Sequence, residues 1–129
     1  MAAGAPDGQR YPRTRRLTRG SEIREVMRRG KRSGTSFVDV FDLTSPFSHP
    51  RVGVVVPRYG HGAVERNLLK RRLREITRRD LLPELERRQL NIDIIVRAKR
   101  EAYEAMQAEL KPGLLELLGR RWVRGSSSS

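Results

Sequence analysis

Apolar residues recur along this chain in short bursts, and the period within each burst changes from one segment to the next. Ile23, Val26 and Met27 stand at helical spacing behind Ser21, which has the chemistry of an N-cap, and Gly30 is placed to stop a short helix. Phe37 to Leu43 alternates and predicts a strand, with a turn region from Ser45-Pro46 to His49-Pro50. Val52 to Val56 is a continuous apolar run between Arg51 and Pro57, the pattern of a central buried strand. The loop Arg58-Tyr59-Gly60-His61-Gly62 leads into the longest helix, about Ala63 to Leu82. Pro83 is expected to end it, because a residue before proline is pushed out of the helical region. Asn91 to Arg97, with Ile92, Ile94, Ile95 and Val96, predicts a third strand. A last helix is expected from near Arg100, carrying Ala102, Ala105, Met106 and Leu110, with Pro112-Gly113 kinking or interrupting it before Leu114, Leu117 and Leu118.

The order helix, strand, strand, helix, strand, helix describes an α/β (α+β) two-layer sandwich, with helices packed on a sheet. No internal repeat and no interior linker divides it. Residues 1–13 read as a flexible basic arm, 14–124 as a single α/β domain, and 125–129 as a frayed tail.

The long helix carries the informative pattern. At 100° per residue, Leu69, Leu73 and Ile76 fall within about 60° of one another and should meet the sheet. Arg66, Asn67, Lys70, Arg71, Arg74 and Arg78 share a different sector of about 140° that contains no acid. Glu65 and Glu75 lie on its flanks. Solvated helix faces normally interleave both signs, and like charges at i,i+4 repel by a few tenths of a kcal/mol each. Folding gives no reason to collect them, whereas a polyanion would neutralise the row and release condensed counterions.

Composition strengthens that reading. The 129 residues hold 28 Lys plus Arg against 15 Asp plus Glu, a formal charge of +13. Of the basic residues 24 are Arg, whose planar fork matches phosphate oxygens and stacks on bases. No apolar run reaches the roughly 18 residues of a membrane span, and no signal-peptide core follows Met1. The absence of Cys excludes a disulfide framework and fits a reducing cytoplasm. A soluble, cytoplasmic protein with an anionic partner is expected. Membrane docking is disfavoured, since no Phe, Trp or Tyr lies between Ala63 and Leu82.

In the first strand, alternation separates Val38, Val40 and Asp42 from Phe37, Asp39, Phe41 and Leu43. With the valines inward, Phe37 and Phe41 would be open beside the first helix, as a stacking platform for unpaired bases or as further core. Catalytic chemistry is thin. His49 and His61 lie in turns without a cluster of carboxylates, and Asp39 and Asp42 point to opposite faces, which is poor geometry for a two-metal nuclease. Gly60-x-Gly62 precedes a helix, but Glu65 stands where a dinucleotide fingerprint wants its third glycine.

The stretch RVGVVVPRYGHGAVERNLLKRRLRE, residues 51–75, resembles the bacterial ribonuclease P protein component. Arg51-Val52-Gly53, Ala63-Val64, Arg66-Asn67, Lys70-Arg71 and Arg74 match that family's pattern in order and spacing. Arg16-Leu17 upstream and Asp93-Ile94-Ile95-Val96 downstream extend the likeness to about residues 15–121. The resemblance implies a fold similar to the second domain of ribosomal protein S5, with a left-handed βαβ crossover. It implies a noncatalytic subunit of an endoribonuclease whose RNA subunit, with bound Mg²⁺, removes the 5′ leader of precursor tRNA. Arg66, Asn67, Lys70, Arg71, Arg74, Arg78, Arg58 and Arg51 would contact the catalytic RNA, and Ile23, Met27, Phe37, Phe41 and Arg16 the leader. Leu68 replaces the family's common second arginine, Arg58-Tyr59 a common Lys-Lys pair, and Ile23 and Met27 its usual aromatics. The alternative is a ribosome-associated or chaperone-like RNA binder on the same fold. A stand-alone metal nuclease would have to cleave without any RNA subunit.

Overall fold

The computed structural model describes residues 13–105 and 107–122. The arm expected over residues 1–13, Arg13 apart, lies outside them, as do Met106 and the tail 125–129. In chain order the elements are α1 (Gly20–Arg29), β1 (Lys31–Gly34), β2 (Val38–Thr44), β3 (Arg51–Val55), α2 (Ala63–Ile76), α3 (Leu82–Arg87), β4 (Ile92–Ala98) and α4 (Gln107–Arg121). The sheet order is β1-β2-β4-β3, antiparallel except for the parallel β3–β4 pair that α2 and α3 connect.

Strand alternation sorts the sheet into two faces. Val38 and Val40 of β2, Val52 of β3 and Ile94, Val96 and Ala98 of β4 meet Leu69, Leu73 and Ile76 of α2, Leu85 of α3 and Leu110, Leu114, Leu117 and Leu118 of α4. The stripe read from the helical period is therefore the buried face of α2. On the other face, α1 alone covers a smaller cluster of Leu17, Val26, Phe41 and Ile95, with Ile23, Met27, Leu43 and Val55 packed around it.

Several boundaries depart from the expected ones. β1 was not foreseen, because Lys31-Arg32-Ser33-Gly34 has no apolar alternation; it is an edge strand held by backbone pairing to β2. β3 is not central but sits at the opposite edge. Its run is apolar because both faces are covered, and its free edge is closed by an Arg16–Val52 bridge in which Leu17 N donates to Val52 O at 3.0 Å. Gly53 makes that approach possible, since a Cβ there would lie 2.6 Å from the Leu17 carbonyl oxygen and 2.8 Å from Ile95 Cδ1. Gly30 ends α1 as expected but in extended backbone, where a Cβ would meet the Asp42 carbonyl oxygen at 2.6 Å. α1 begins at Gly20, with Arg19 at the cap and Ser21 already inside the first turn.

Neither proline breaks its helix. A wide turn over Thr77–Leu81, in which Leu82 N donates to Thr77 O, joins α2 to α3 and sets Pro83 in the first turn of α3. The helical backbone runs without a break through that turn, and Leu82 before the proline keeps helical angles, φ −60° and ψ −46°. Pro112 lies inside a continuous α4 on its exposed side. The break expected near it comes earlier: Arg100–Glu104 is a 3₁₀ turn, Ala105 is extended, and α4 starts at Gln107.

Replacing Gly53 with Ala should push the Arg16–Leu17 segment off β3 and cost about 1–3 kcal/mol, the range for overpacking a filled site. Urea unfolding of the variant measures it, and an unchanged midpoint would mean the segment is not seated there.

Candidate nucleic-acid interface

α2 is fixed through its apolar side, so its opposite surface is presented rigidly. A capping box starts it: Glu65 reaches back to the Gly62 N–H at 3.1 Å and receives a contact from His61 Nδ1 at 3.0 Å. Those bonds hold the Glu65 carboxyl below its ordinary range, the Gly62 N–H contributing most. Asn67, Arg71 and Arg74 are exposed, and Arg66 and Lys70 are half-buried beside the β3 edge. Arg66 is steered by its Nε–H, which donates to the Val56 carbonyl at 2.8 Å.

Among the described residues, no carboxylate forms an ion pair with Arg58, Arg66, Lys70, Arg71 or Arg74. Elsewhere several acids are committed: Glu25 to Arg28 and Arg29, Asp39 to Arg32 and Arg97, Glu84 to Arg87 and Arg88, Asp42 to Arg121. The row registers its own repulsion. Burial pushes the Lys70 ammonium below its ordinary range, and the charges of Arg74 and Arg66 push it the same way.

Two residues expected in this set are taken out of it. Arg51 is buried, with Nε and Nη2 bonded to Asp93 at 2.9 and 2.7 Å and Nη1 at 3.3 Å from Glu22. The bonds to Asp93 dominate and hold its guanidinium in the charged form. It ties β3 to β4 and to α1, and turns its remaining face to Phe47, 4.8 Å from that ring's centre. Arg78 shares the basic sector by angle, but the wide turn that starts at Thr77 buries it against Glu75 at 2.6 Å. Arg58 stays exposed in the loop before α2.

The second predicted surface is reshaped as well. Phe41 does lie on the α1 side of the sheet but is 6% exposed, roofed by α1 and by the guanidinium groups of Arg32 and Arg97 at 5.8 and 5.3 Å. It belongs to the core under α1 and is not an open platform. Phe37 leaves this face altogether and packs half-buried against the main core. Thr35 causes that: its Oγ1 accepts from the N–H groups of Phe37 and Val38 at 3.0 and 3.1 Å, a tight turn that ends the strand's alternation. Ile23 and Met27 pack half-buried against that same cluster, and Arg16 is exposed.

The two surfaces meet. A groove of about 150 Å³ is lined by Arg16, Leu17, Thr18 and Ile23 on one side and by Lys70 and Arg74 on the other, across Val52, Gly53 and Val54. Cations therefore run from α2 around the β3 edge to the foot of α1. Three features of this region were not legible beforehand. Arg32 and Arg97 come together over Phe41 only through pairing across the sheet. Val64 and Leu68, 83% and 39% exposed, flank the α2 row as apolar contacts one turn apart. Tyr103 and Arg100, from the turn after β4, join Tyr59 at the start of α2. No group of three or more His, Asp or Glu among the described residues could hold a metal ion, and none of their helices is long and apolar enough to cross a membrane.

Known proteins share both the sequence and the fold. The profile of the ribonuclease P family matches residues 11–121. The ribonuclease P protein component of Acidothermus cellulolyticus is 39% identical over 113 residues, covering 84% of this chain and 89% of that one. That of Vibrio cholerae is 32% identical over 121 residues, covering 92% and 94%. Among solved structures, the Thermotoga maritima ribonuclease P protein superposes with a TM-score of 0.68 at 26% identity, covering 81% of this chain and 96% of that one. The Staphylococcus aureus protein gives 0.70 at 22% identity, covering 86% and 98%. With its profile matched over most of the chain and relatives of this identity covered almost end to end, the chain belongs to the ribonuclease P protein component family.

Proposed function

We propose that this subunit of ribonuclease P is inactive by itself and acts by docking on a catalytic RNA, with the cations of α2 as the docking surface. The observation that carries the reading is the row Arg66, Lys70, Arg71 and Arg74, rigidly presented and without carboxylate partners among the described residues. Phosphates supply the missing counter-charge, and Asn67 offers a donor and an acceptor to a base edge or ribose. Arg58 extends the row at its start. Leu68 offers an apolar contact in place of a phosphate one. The ribosome-associated alternative has no support from the relatives above, all of which are ribonuclease P proteins.

The substrate is precursor tRNA, whose 5′ leader follows the cleft between α1 and β2 in the cytoplasm. Arg16, Arg32 and Arg97 provide charge there, Ile23 and Met27 apolar contact, and buried Phe41 the support beneath. Because the cleft and the α2 row share the groove at the β3 edge, one bound surface can hold both RNAs side by side. Mg²⁺ would be held mainly by the RNA subunit.

Reconstitution with a bacterial ribonuclease P RNA at low Mg²⁺ tests the proposal. The protein should stimulate precursor cleavage and do nothing without RNA; no stimulation would contradict it. Neutralising Arg66, Lys70 and Arg74 together should flatten the slope of log affinity against log salt by about 2, at ~0.7 per phosphate contact. An unchanged slope would move the docking surface elsewhere.

The depressed Lys70 gives a pH test. The free protein holds this proton less tightly than a lysine ordinarily does, and a polyanion restores the grip, so docking takes up a proton. RNA affinity should therefore decline as pH rises through the window below the ordinary lysine range, and Lys70→Arg should lose that decline. Identical alkaline profiles for the two proteins would show that Lys70 does not face the RNA.

A further inference from the structure

Just before α2 the backbone makes a turn that bulky residues avoid. Tyr59 has φ 49° and Gly60 φ 88°, and the turn is closed by His61 N donating to Arg58 O at 2.8 Å. Such a conformation persists when its surroundings over-determine it, and here they do. The Tyr59 hydroxyl donates to the Ala98 carbonyl at 3.2 Å, and the Arg100 guanidinium lies 4.8 Å from the Tyr59 ring centre. Tyr103 meets Tyr59 edge-on at 6.3 Å and anchors itself by donating to the Pro57 carbonyl at 2.6 Å.

The result is a fixed pair of flat rings. The His61 imidazole lies parallel to the Tyr103 ring, with centroids 3.9 Å apart and planes 4° apart. Among the described residues no other aromatic ring stacks on that imidazole. Its side chain is 32% exposed, and Gly60 and Gly62 beside it leave open space. Arg66 and Arg58 stand close enough to bias the Tyr103 hydroxyl, so the pair adjoins the first cations of the α2 row.

We propose that the His61–Tyr103 stack is a binding site for one unpaired nucleobase of the RNA, which lays its face on the outer side of the imidazole while Arg58 and Arg100 meet the flanking phosphates. This rests on α2 being the RNA-docking surface. Continuity with that row selects a nucleic acid, and a bare ring face between cations selects a splayed-out base over a paired one. Glu65 meets the imidazole at Nδ1, on the edge of the ring, and so leaves the ring face uncovered. A cluster that only pinned the loop would need Tyr59 and Tyr103 but no parallel ring on the outer side.

Stacking and phosphate contact separate by their salt dependence. The full chain would be titrated with a bacterial ribonuclease P RNA over a series of salt concentrations, as native protein, His61→Ala, His61→Phe and the triple neutralised variant of Arg66, Lys70 and Arg74. His61→Ala should weaken binding about tenfold at every salt concentration with the slope unchanged, and His61→Phe, which keeps a ring on Tyr103, should bind like the native chain. Native-like affinity of His61→Ala, a changed slope, or failure of His61→Phe to restore binding would each overturn the stacking site. If the triple variant still flattens the slope, α2 docking survives that outcome; if it does not, the docking surface fails first.

Discussion

Like charges one turn apart on a helix repel, and α2 keeps Arg66, Lys70 and Arg74 in such a file while Glu25, Asp39, Glu84 and Asp93 neutralise arginines elsewhere. This sorting of charge is the constraint on which the rest depends. A carboxylate at the positions of Asn67 or Arg71 would relieve the repulsion at no cost to the core, because neither side chain is buried. The file persists as a surface that is better satisfied with a polyanion than without one. Lys70 reports the same tension from inside the protein, being partly desolvated and pressed by Arg74 and Arg66 toward its neutral form.

The fold serves this surface by holding it still and joining it to a second one. Leu69, Leu73 and Ile76 lock α2 onto the sheet, and the capping box fixes its start. β3 lies at the sheet edge beside the basic row, so the Arg16–Leu17 segment can close that edge and carry charge around it to α1. Gly53 is where these requirements meet: its missing side chain lets Leu17 lie against the strand. Arg51, two residues earlier, gives up its place on the surface to join β3, β4 and α1 through Asp93 and Glu22.

What was readable in the sequence was local. The 3.6-residue period of α2 marks both its buried stripe and its basic sector, and the alternation of β2 puts Val38 and Val40 inward. What was not readable is set by partners distant along the chain. Arg51 meets Asp93 across 42 positions, and nothing near it in sequence distinguishes a buried ion pair from a phosphate contact. Phe37 and Phe41 share a parity, yet a threonine hydroxyl rotates one away and α1 roofs the other. β1 has no apolar signal because pairing with β2 alone defines it. Arg78 fits the basic sector at 100° per residue, and the wide turn beginning at Thr77 voids that angle. The Tyr59–Tyr103 contact joins two turns on either side of α2, α3 and β4, so no motif announces it.

Chemical modification of arginine, mapped residue by residue with and without the ribonuclease P RNA, tests the central claim most directly. Exposed Arg71 and Arg74 should react in the free protein and become protected in the complex, while exposed Arg120 on α4 stays reactive in both. Buried Arg51, held by Asp93, should be unreactive throughout. Equal modification of Arg71 and Arg74 in the free and bound states would contradict the account, because the file of unpaired cations would then face water in the assembled enzyme.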